Sequence, residues 1–379
     1  MSEYQYYEFQ AIDRPLTPGA QQAVAQLSSR VSPHPWRAVF TYSYGGGLRR
    51  NPEDLLADYY DAMLYLANWG SRRLMFRFPR SLVDADRMRQ YNVETTEYPS
   101  DVVQVDTKGE YVILDIQLNE EEGLGWIEDE GWLGSLVGLR EAMMRGDDRV
   151  LYLAWLKGLT MVYGADEDAF EPPVPPGLGD LTPALETFVE LFDVEADMLQ
   201  AAAERSAPLE PRTLTEDDLR RAIDALAPEE KDECLLRLAQ GEPQLALALK
   251  RRLGLLDSAG PQRSTEARRT VAELFAEAEA IAERRRKAEA AAAEARRIAE
   301  LEALAERGDE VWDEVDALIQ RGQAKFYDKA VQLLKKLRDL AEHQRKTVVF
   351  QTRLNRIHDE YSRRSALMRR LRNAGLHTE

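Results

Sequence analysis

From Thr265 to about Arg307 the chain turns to Ala, Glu and Arg, and this one run constrains the fold more than any other. Such a composition predicts a single helix. At 1.5 Å per residue its roughly 43 residues would span on the order of 65 Å. Val271, Leu274, Ala278, Ile281, Ala288, Ala292 and Ala295 follow 3-4 spacing, with Arg285 interrupting, and the apolar phase then shifts to Ile298, Leu301 and Leu304. A narrow alanine seam of this kind suits close antiparallel packing or a coiled coil with another helix, from the same chain or a second copy. The competing expectation is a solvated helix braced by Glu–Arg pairs one turn apart.

The fold class expected is an α+β N-terminal layer followed by a mainly α-helical C-terminal half containing that long helix. Residues 4–12 and Trp36–Tyr44 alternate as strands, and Thr17-Pro18 opens a helix running to about Val31. In the stretch NPEDLLADYYDAMLYLANWGSRRLMFRFP, Asn51 and Pro52 start a helix. Two apolar rows extend it to a stop at Gly70, before a strand over Leu74–Phe78. A short helix near Asp84–Gln90 and extended runs at Val102–Val105 and Tyr111–Leu118 complete a mixed or antiparallel sheet. Trp132–Met144 and Val150–Tyr163 are apolar helices placed to cover it. The proline-rich EPPVPPGLG from Glu171 to Gly179 is expected to be extended. The expected domains are 1–170 (α+β), 181–257 (short helices), 265–307 (the long helix) and 308–376 (a basic tail of helical hairpins).

Charge divides the chain further. The net charge is −17, yet residues 321–379 hold 15 Lys/Arg against 6 Asp/Glu, a local net of +9 that leaves −26 elsewhere. An acidic body repels nucleic acid, whereas a basic tail could bind it or an acidic protein surface; solvated helix faces are the plain alternative. No apolar run approaches the ~20 residues of a membrane span. The start MSEYQYYEFQ lacks the basic and apolar segments of a signal peptide, so a cytoplasmic setting without a membrane partner is expected. Cys234 is the only cysteine, which excludes an intrachain disulfide or a thiolate zinc cluster. Beside Leu235 and Leu238 it is expected to be a small core residue.

In the tail, Trp312, Val315, Leu318 and Ile319 form one helix face. Tyr327, Ala330, Leu333, Leu334 and Leu337 form a second; Val349, Phe350, Leu354, Ile357 and Tyr361 form a third; a short helix over Ala366–Arg372 ends at Gly375. The lengths suggest stacked helical hairpins without a clear 34-residue period. The opening YQYYEFQAIDRPLT and the stretch LANWGSRRLMFRFP resemble an uncharacterised family of bacterial cytoplasmic proteins, a resemblance covering about residues 1–180 that implies no chemistry. The patterns VWDEVDALIQ and YDKAVQLLKKLRDL, with the short helices ending in NAGL, are similar to helical tails of some SWIM zinc-finger proteins. The Cys-x-Cys and Cys-x-His pairs of that finger are absent from this chain.

Candidate sites are few, and no catalytic residue, metal ligand or cofactor is assigned. Gly45, Gly46 and Gly47, followed by Arg49 and Arg50, stand between a strand and a helix start, where backbone N–H groups can cradle an anion. Glu8, Thr41, Ser43, Arg77, Asp115 and Gln117 are candidates for one polar sheet face, and hence for acid–base chemistry. Glu120–Glu122 and Glu128–Glu130 bracket Trp126 in an acidic loop that lacks EF-hand spacing. Lys335, Lys336, Arg338, Arg363, Arg364, Arg369, Arg370 and Arg372 are the candidate contacts to a partner or to nucleic acid. The leading expectation is a non-enzymatic interaction or scaffold protein that binds another protein or a second copy. A nucleic-acid accessory factor comes next, and an enzyme using the polar sheet face last.

Overall fold

A computed structural model describes residues 3–29, 31, 33–43, 46–95, 102–119, 131–209, 214–256 and 268–377. The chain forms two compact units, Met1–Ala282 and Glu283–Glu379. The first begins β1 (Tyr4–Gln10), α1 (Pro18–Ala25), β2 (Arg37–Ser43), α2 (Pro52–Tyr59), β3 (Ala62–Ala67), β4 (Ser71–Pro79), α3 (Ala85–Arg89), β5 (Val103–Lys108) and β6 (Tyr111–Asn119). Every strand pairing is antiparallel, in the order β2-β1-β3-β4-β6-β5. The expected α+β class is therefore the observed one.

The starts of α1 and α2 lie where Thr17-Pro18 and Asn51-Pro52 place them, each cap oxygen accepting a backbone N–H. Their lengths correct the sequence reading. α1 ends at Ala25 rather than Val31, and α2 has only eight residues. At Tyr60 the backbone becomes extended, and Ala62–Ala67 is strand β3, not helix. A short apolar run buried on both faces carries no alternation, so periodicity cannot separate it from a buried helix. Gly70 (φ +106°) turns β3 into β4 instead of ending a helix.

The register also divides the six polar residues expected to share one face. Glu8 lies opposite Leu64, Leu64 opposite Leu74, and Leu74 opposite Ile116; Thr41 and Ser43 follow the same parity through Tyr6 and Tyr4. Arg77, Asp115 and Gln117 have the other parity, with Phe9, Met63 and Met75. A one-residue change of parity moves a side chain to the opposite face, and parity between strands is fixed only by pairing. The face holding Phe9, Met63 and Met75 packs on Leu16, Val24, Leu55 and Leu56 from α1, α2 and their approaches.

The other face carries the larger core. It is covered by α4 (Trp132–Leu136), α5 (Gly138–Met144), α6 (Arg149–Met161), α7 (Pro183–Phe192) and α8 (Ala196–Ala203). In α6 every residue from Arg149 to Leu159 is buried. Gly158 permits that packing, since a Cβ there would meet Val93 Cγ2 at 2.7 Å and Val102 Cγ1 at 2.9 Å. Between α6 and α7 the proline-rich stretch carries no helix or strand, and Glu171, Pro172, Pro175 and Leu178 are buried. Leu185, Phe188, Met198 and Ala201 join the sheet's own core.

Three helices follow: α9 (Glu216–Asp224), α10 (Pro228–Ala239) and α11 (Leu245–Arg252). The long helix, α12, spans Val271–Glu306. Its expected start at Thr265 lies outside the described residues; Arg268 and Arg269 are not helical, and Thr270 bridges Phe170. Thr270 and Glu273 make a reciprocal cap: Thr270 N–H donates to Glu273 Oε2 (2.9 Å) and Glu273 N–H to Thr270 Oγ1 (3.2 Å). Just before the cap, Arg269 donates to both oxygens of buried Glu171, at 2.6 and 2.9 Å, and Tyr152 also donates to Glu171. Val271, Leu274, Ala278 and Ile281 then enter the sheet unit's core. Ala288, Ala292 and Ala295 are exposed, so within the single chain the expected alanine seam is uncovered.

The second unit contains α13 (Glu310–Gln320), α14 (Ala324–His343), α15 (Thr347–Glu360) and α16 (Ser365–Asn373). Leu301 of α12 packs there with Val311, Val315, Ile319, Leu334, Phe350, Leu354 and Leu367, close to the faces read from spacing. Val349 is the exception and is exposed.

Candidate functional site

A cleft of about 580 Å³ opens on the first unit, a size suited to a small organic ligand. Five separate stretches line it. They are the β1–α1 connection (Asp13–Thr17), the end of α2 (Asp58, Tyr59), the end of β4 and the turn after it (Arg77–Leu82), the start of β6 (Glu110, Tyr111), and the α10–α11 connection (Glu242–Gln244).

Ion pairs and hydrogen bonds hold the floor. Arg140 donates to both Asp13 oxygens, at 2.9 and 2.7 Å, and Gln244 Nε2 adds a third bond to Asp13 Oδ1 at 3.0 Å. Burial opposes ionisation of Asp13, but the bonds and charge of Arg140 outweigh it and hold the carboxyl below its ordinary range. Asp61, itself buried, accepts the Ile12 and Asp13 N–H groups at 2.6 and 2.9 Å and pairs with Arg77 at 2.8 Å. Arg77 also donates to the Ala57 carbonyl (2.6 Å) and lies 4.5 Å from the centroid of the Tyr111 ring. These groups are occupied with one another and preorganised.

The rim is different. Arg237 pairs with Glu242 (2.6 Å) and Asp58 with Arg50. Arg14 and Arg80 are exposed, and among the described residues neither guanidinium has a hydrogen-bond or close ion-pair partner, although the charge of Arg14 acts on Glu242. Glu110 stands beside Arg80, whose N–H donates to the Glu110 carbonyl (2.8 Å).

A second feature is the outward face of α9 and α10, neither of which has a buried residue. Leu235 and Leu238 are each 64% exposed, Leu236 53% and Ile223 40%. Cys234, expected in a core, is only partly buried, and the leucines beside it face solvent. The side of α10 turned toward the protein carries Glu230 and Arg237, paired with Arg252 and Glu242. These pairs stay part-exposed, and the leucines face solvent alongside Asp232 and Glu233. Residues 214–240 hold 8 Asp/Glu against 4 Lys/Arg, so the leucines sit in an acidic setting.

The residues singled out from the sequence are scattered. Gly45 lies outside the described residues, as do Glu120–Glu122, Trp126 and Glu128–Glu130. Gly46 gives its carbonyl to Gln5 Nε2 (2.8 Å), and Arg50 is committed to Asp58 and the Tyr59 ring. Arg49 and Gly47 flank them, but the adjacent start of α2 already carries Glu53 and Asp54 in its first turn. These carboxylates satisfy the helix dipole that an anion would use. On the sheet, Glu8 is enclosed by Arg37, Tyr6 and Gln10, and Asp115 by Arg73 at 2.5 and 2.8 Å. Burial raises the Asp115 carboxyl, against the pull of Arg73.

In the tail, Arg364 donates to the Ile319 carbonyl, Arg370 pairs with Asp328 (2.7 Å) and Arg338 with Asp339 (3.2 Å). Lys335, Lys336, Arg363, Arg369 and Arg372 make no ion pair among the described residues. Lys325, Lys329 and Lys336 share the exposed side of α14. No cluster of three or more His, Cys, Asp or Glu suited to a metal occurs among the described residues. Nor is any described helix long and apolar enough to cross a membrane. Comparison of the chain with protein-family models, with curated proteins and with solved structures finds no match in any of the three.

Proposed function

We propose that this chain is a non-enzymatic interaction protein whose partner docks on the leucine face of α9 and α10. The supporting observation is that α10 has no buried residue and leaves Leu235, Leu236 and Leu238 to solvent. Covering such a side chain contributes roughly 1.5–3 kcal/mol, so three of them can anchor a complex. The acidic surround selects a partner bearing a basic amphipathic helix, laid into the face through spaced apolar anchors. A photo-crosslinking residue at Leu235 of the full chain, with mass spectrometry of the product, tests this. The expected product is an apolar segment richer in Lys/Arg than in Asp/Glu, lost in Leu238→Asp. Crosslinks confined to the same chain, or unchanged in that variant, would overturn the reading.

A second reading is favoured by the tail's unpaired cations. Lys329 and Lys336 on α14, and Arg369 and Arg372 on α16, are exposed cations suited to phosphate contacts. Filter binding of the full chain to DNA and RNA at two salt concentrations tests it. Affinity falling steeply with salt, and lost in Lys336→Glu/Arg369→Glu/Arg372→Glu, is expected; absence of binding at low salt removes it.

A further inference from the structure

We propose that the cleft of the first unit binds an organic phosphate of nucleotide size, a planar ring carrying one phosphate group. The inference is independent of partner docking on α9 and α10. It starts from a contrast between floor and rim.

Asp13, Arg140, Asp61 and Arg77 are locked into one another, so the floor offers a rigid surface rather than free charge. Arg14 and Arg80 hold the only guanidinium groups in the lining that lack a hydrogen-bond or close ion-pair partner among the described residues. Arginine is suited to phosphate because its planar fork of donors matches the oxygens in pairs. The four arginines of the lining are matched in number by Asp13, Asp58, Glu110 and Glu242, and Glu242 already feels the charge of Arg14. With so little surplus positive charge, the two available guanidinium forks suit a single phosphate group rather than a polyphosphate.

The ring is assigned from the walls. Tyr59 and Tyr111 both line the cleft, and Arg77 already stacks on Tyr111, so a planar ligand meets aromatic and guanidinium surfaces of fixed orientation. A volume of about 580 Å³ holds a ring, a sugar and a phosphate, and exceeds what inorganic phosphate fills.

The test is calorimetric titration of the full chain with adenosine monophosphate, adenosine and inorganic phosphate as separate probes. Adenosine monophosphate should bind with a Kd on the order of 0.1 mM, and each fragment at least about tenfold more weakly. Arg14→Gln and Arg80→Gln, both on exposed side chains, should each weaken the nucleotide about tenfold. Tyr111→Leu should remove the advantage of the nucleotide over phosphate. No heat from the nucleotide at millimolar concentration, or equal affinity in both arginine variants, would overturn the proposal. Phosphate binding as tightly as the nucleotide would overturn the ring assignment.

Discussion

Helices α6 and α10 have 13 and 12 residues and each carries at least three leucines, yet α6 is buried from Arg149 to Leu159 and α10 has no buried residue. The difference lies in where their polar groups find partners. In α6, Arg149 reaches Asp147 and the carbonyls of Gly177 and Asp180, and Lys157 reaches Glu195 at 3.1 Å. With its charges satisfied, the whole helix can sit between the sheet and α7 and α8. In α10 the pairs of Glu230 and Arg237 are part-exposed and draw no side of the helix into the core, so the leucines remain in solvent. Leucine content alone therefore does not decide burial; satisfied charges decide which side a helix can hide.

The contrast breaks first at Leu156, which has no exposed surface. Leu156→Ala should cost about 2–5 kcal/mol, read as a lower urea midpoint at an unchanged slope. A loss below about 1 kcal/mol would mean that α6 is not at the centre of the core.

Asp148, at the start of α6, comes next. Its carboxyl is pushed up to about 7, first by burial and then by Asp147 and Asp84, against the pull of Arg87 at 3.1 Å. Tyr91 feels the same charge, and Arg251 lies near both Arg87 and Asp84. In the unfolded chain the group titrates near 3.9. Its contribution to stability is thus complete below about pH 4 and lost as pH rises through about 7. Asp148→Asn removes that loss, so relative to wild type it should gain about 2–4 kcal/mol between pH 5 and pH 8.5. Denaturation of both proteins at the two pH values checks it; parallel profiles would contradict it.

Gly158→Ala is a smaller perturbation of α6. The added methyl falls within 2.7–3.1 Å of the Val93 and Val102 side chains. Overpacking should outweigh the better helix propensity, for a net loss of about 1–3 kcal/mol. A rise in melting temperature would show that those valines yield freely. The smallest effect sharpens the contrast from the other side. Leu235→Ser and Leu238→Ser should each move the stability of the isolated chain by no more than about 0.5 kcal/mol. A loss of 2 kcal/mol or more would mean that another part of the chain covers the leucine face.

What the sequence made legible follows from the range of the forces involved. Caps at Thr17 and Asn51 are decided within four residues, and they were readable. So were the helix faces through Val315, Leu334 and Leu354, which alternate between core and water. The Thr270–Glu273 cap has an equally local signature, and it marks the true start of α12 better than composition does. β3 was illegible because both its faces are buried. The parity of Glu8 against Asp115 needs the strand order, and the cleft needs five stretches brought together, from Asp13 to Gln244. Amphipathic spacing shows that α10 has an apolar side but not whether anything covers it.

The clasp between Glu171 and Arg269 bears on how the protein is made. Its partners stand 98 residues apart, so Glu171 is synthesised well before its counter-ion. At translation rates of about 5–20 residues per second, the guanidinium arrives roughly 5–20 s after the carboxylate. Until then a carboxylate destined for a site only 4% exposed has no counter-ion. A chain that has reached Glu171 but not Arg269 can therefore hold that position only hydrated or protonated, and burial of the charged carboxylate waits for the residues that also cap the long helix.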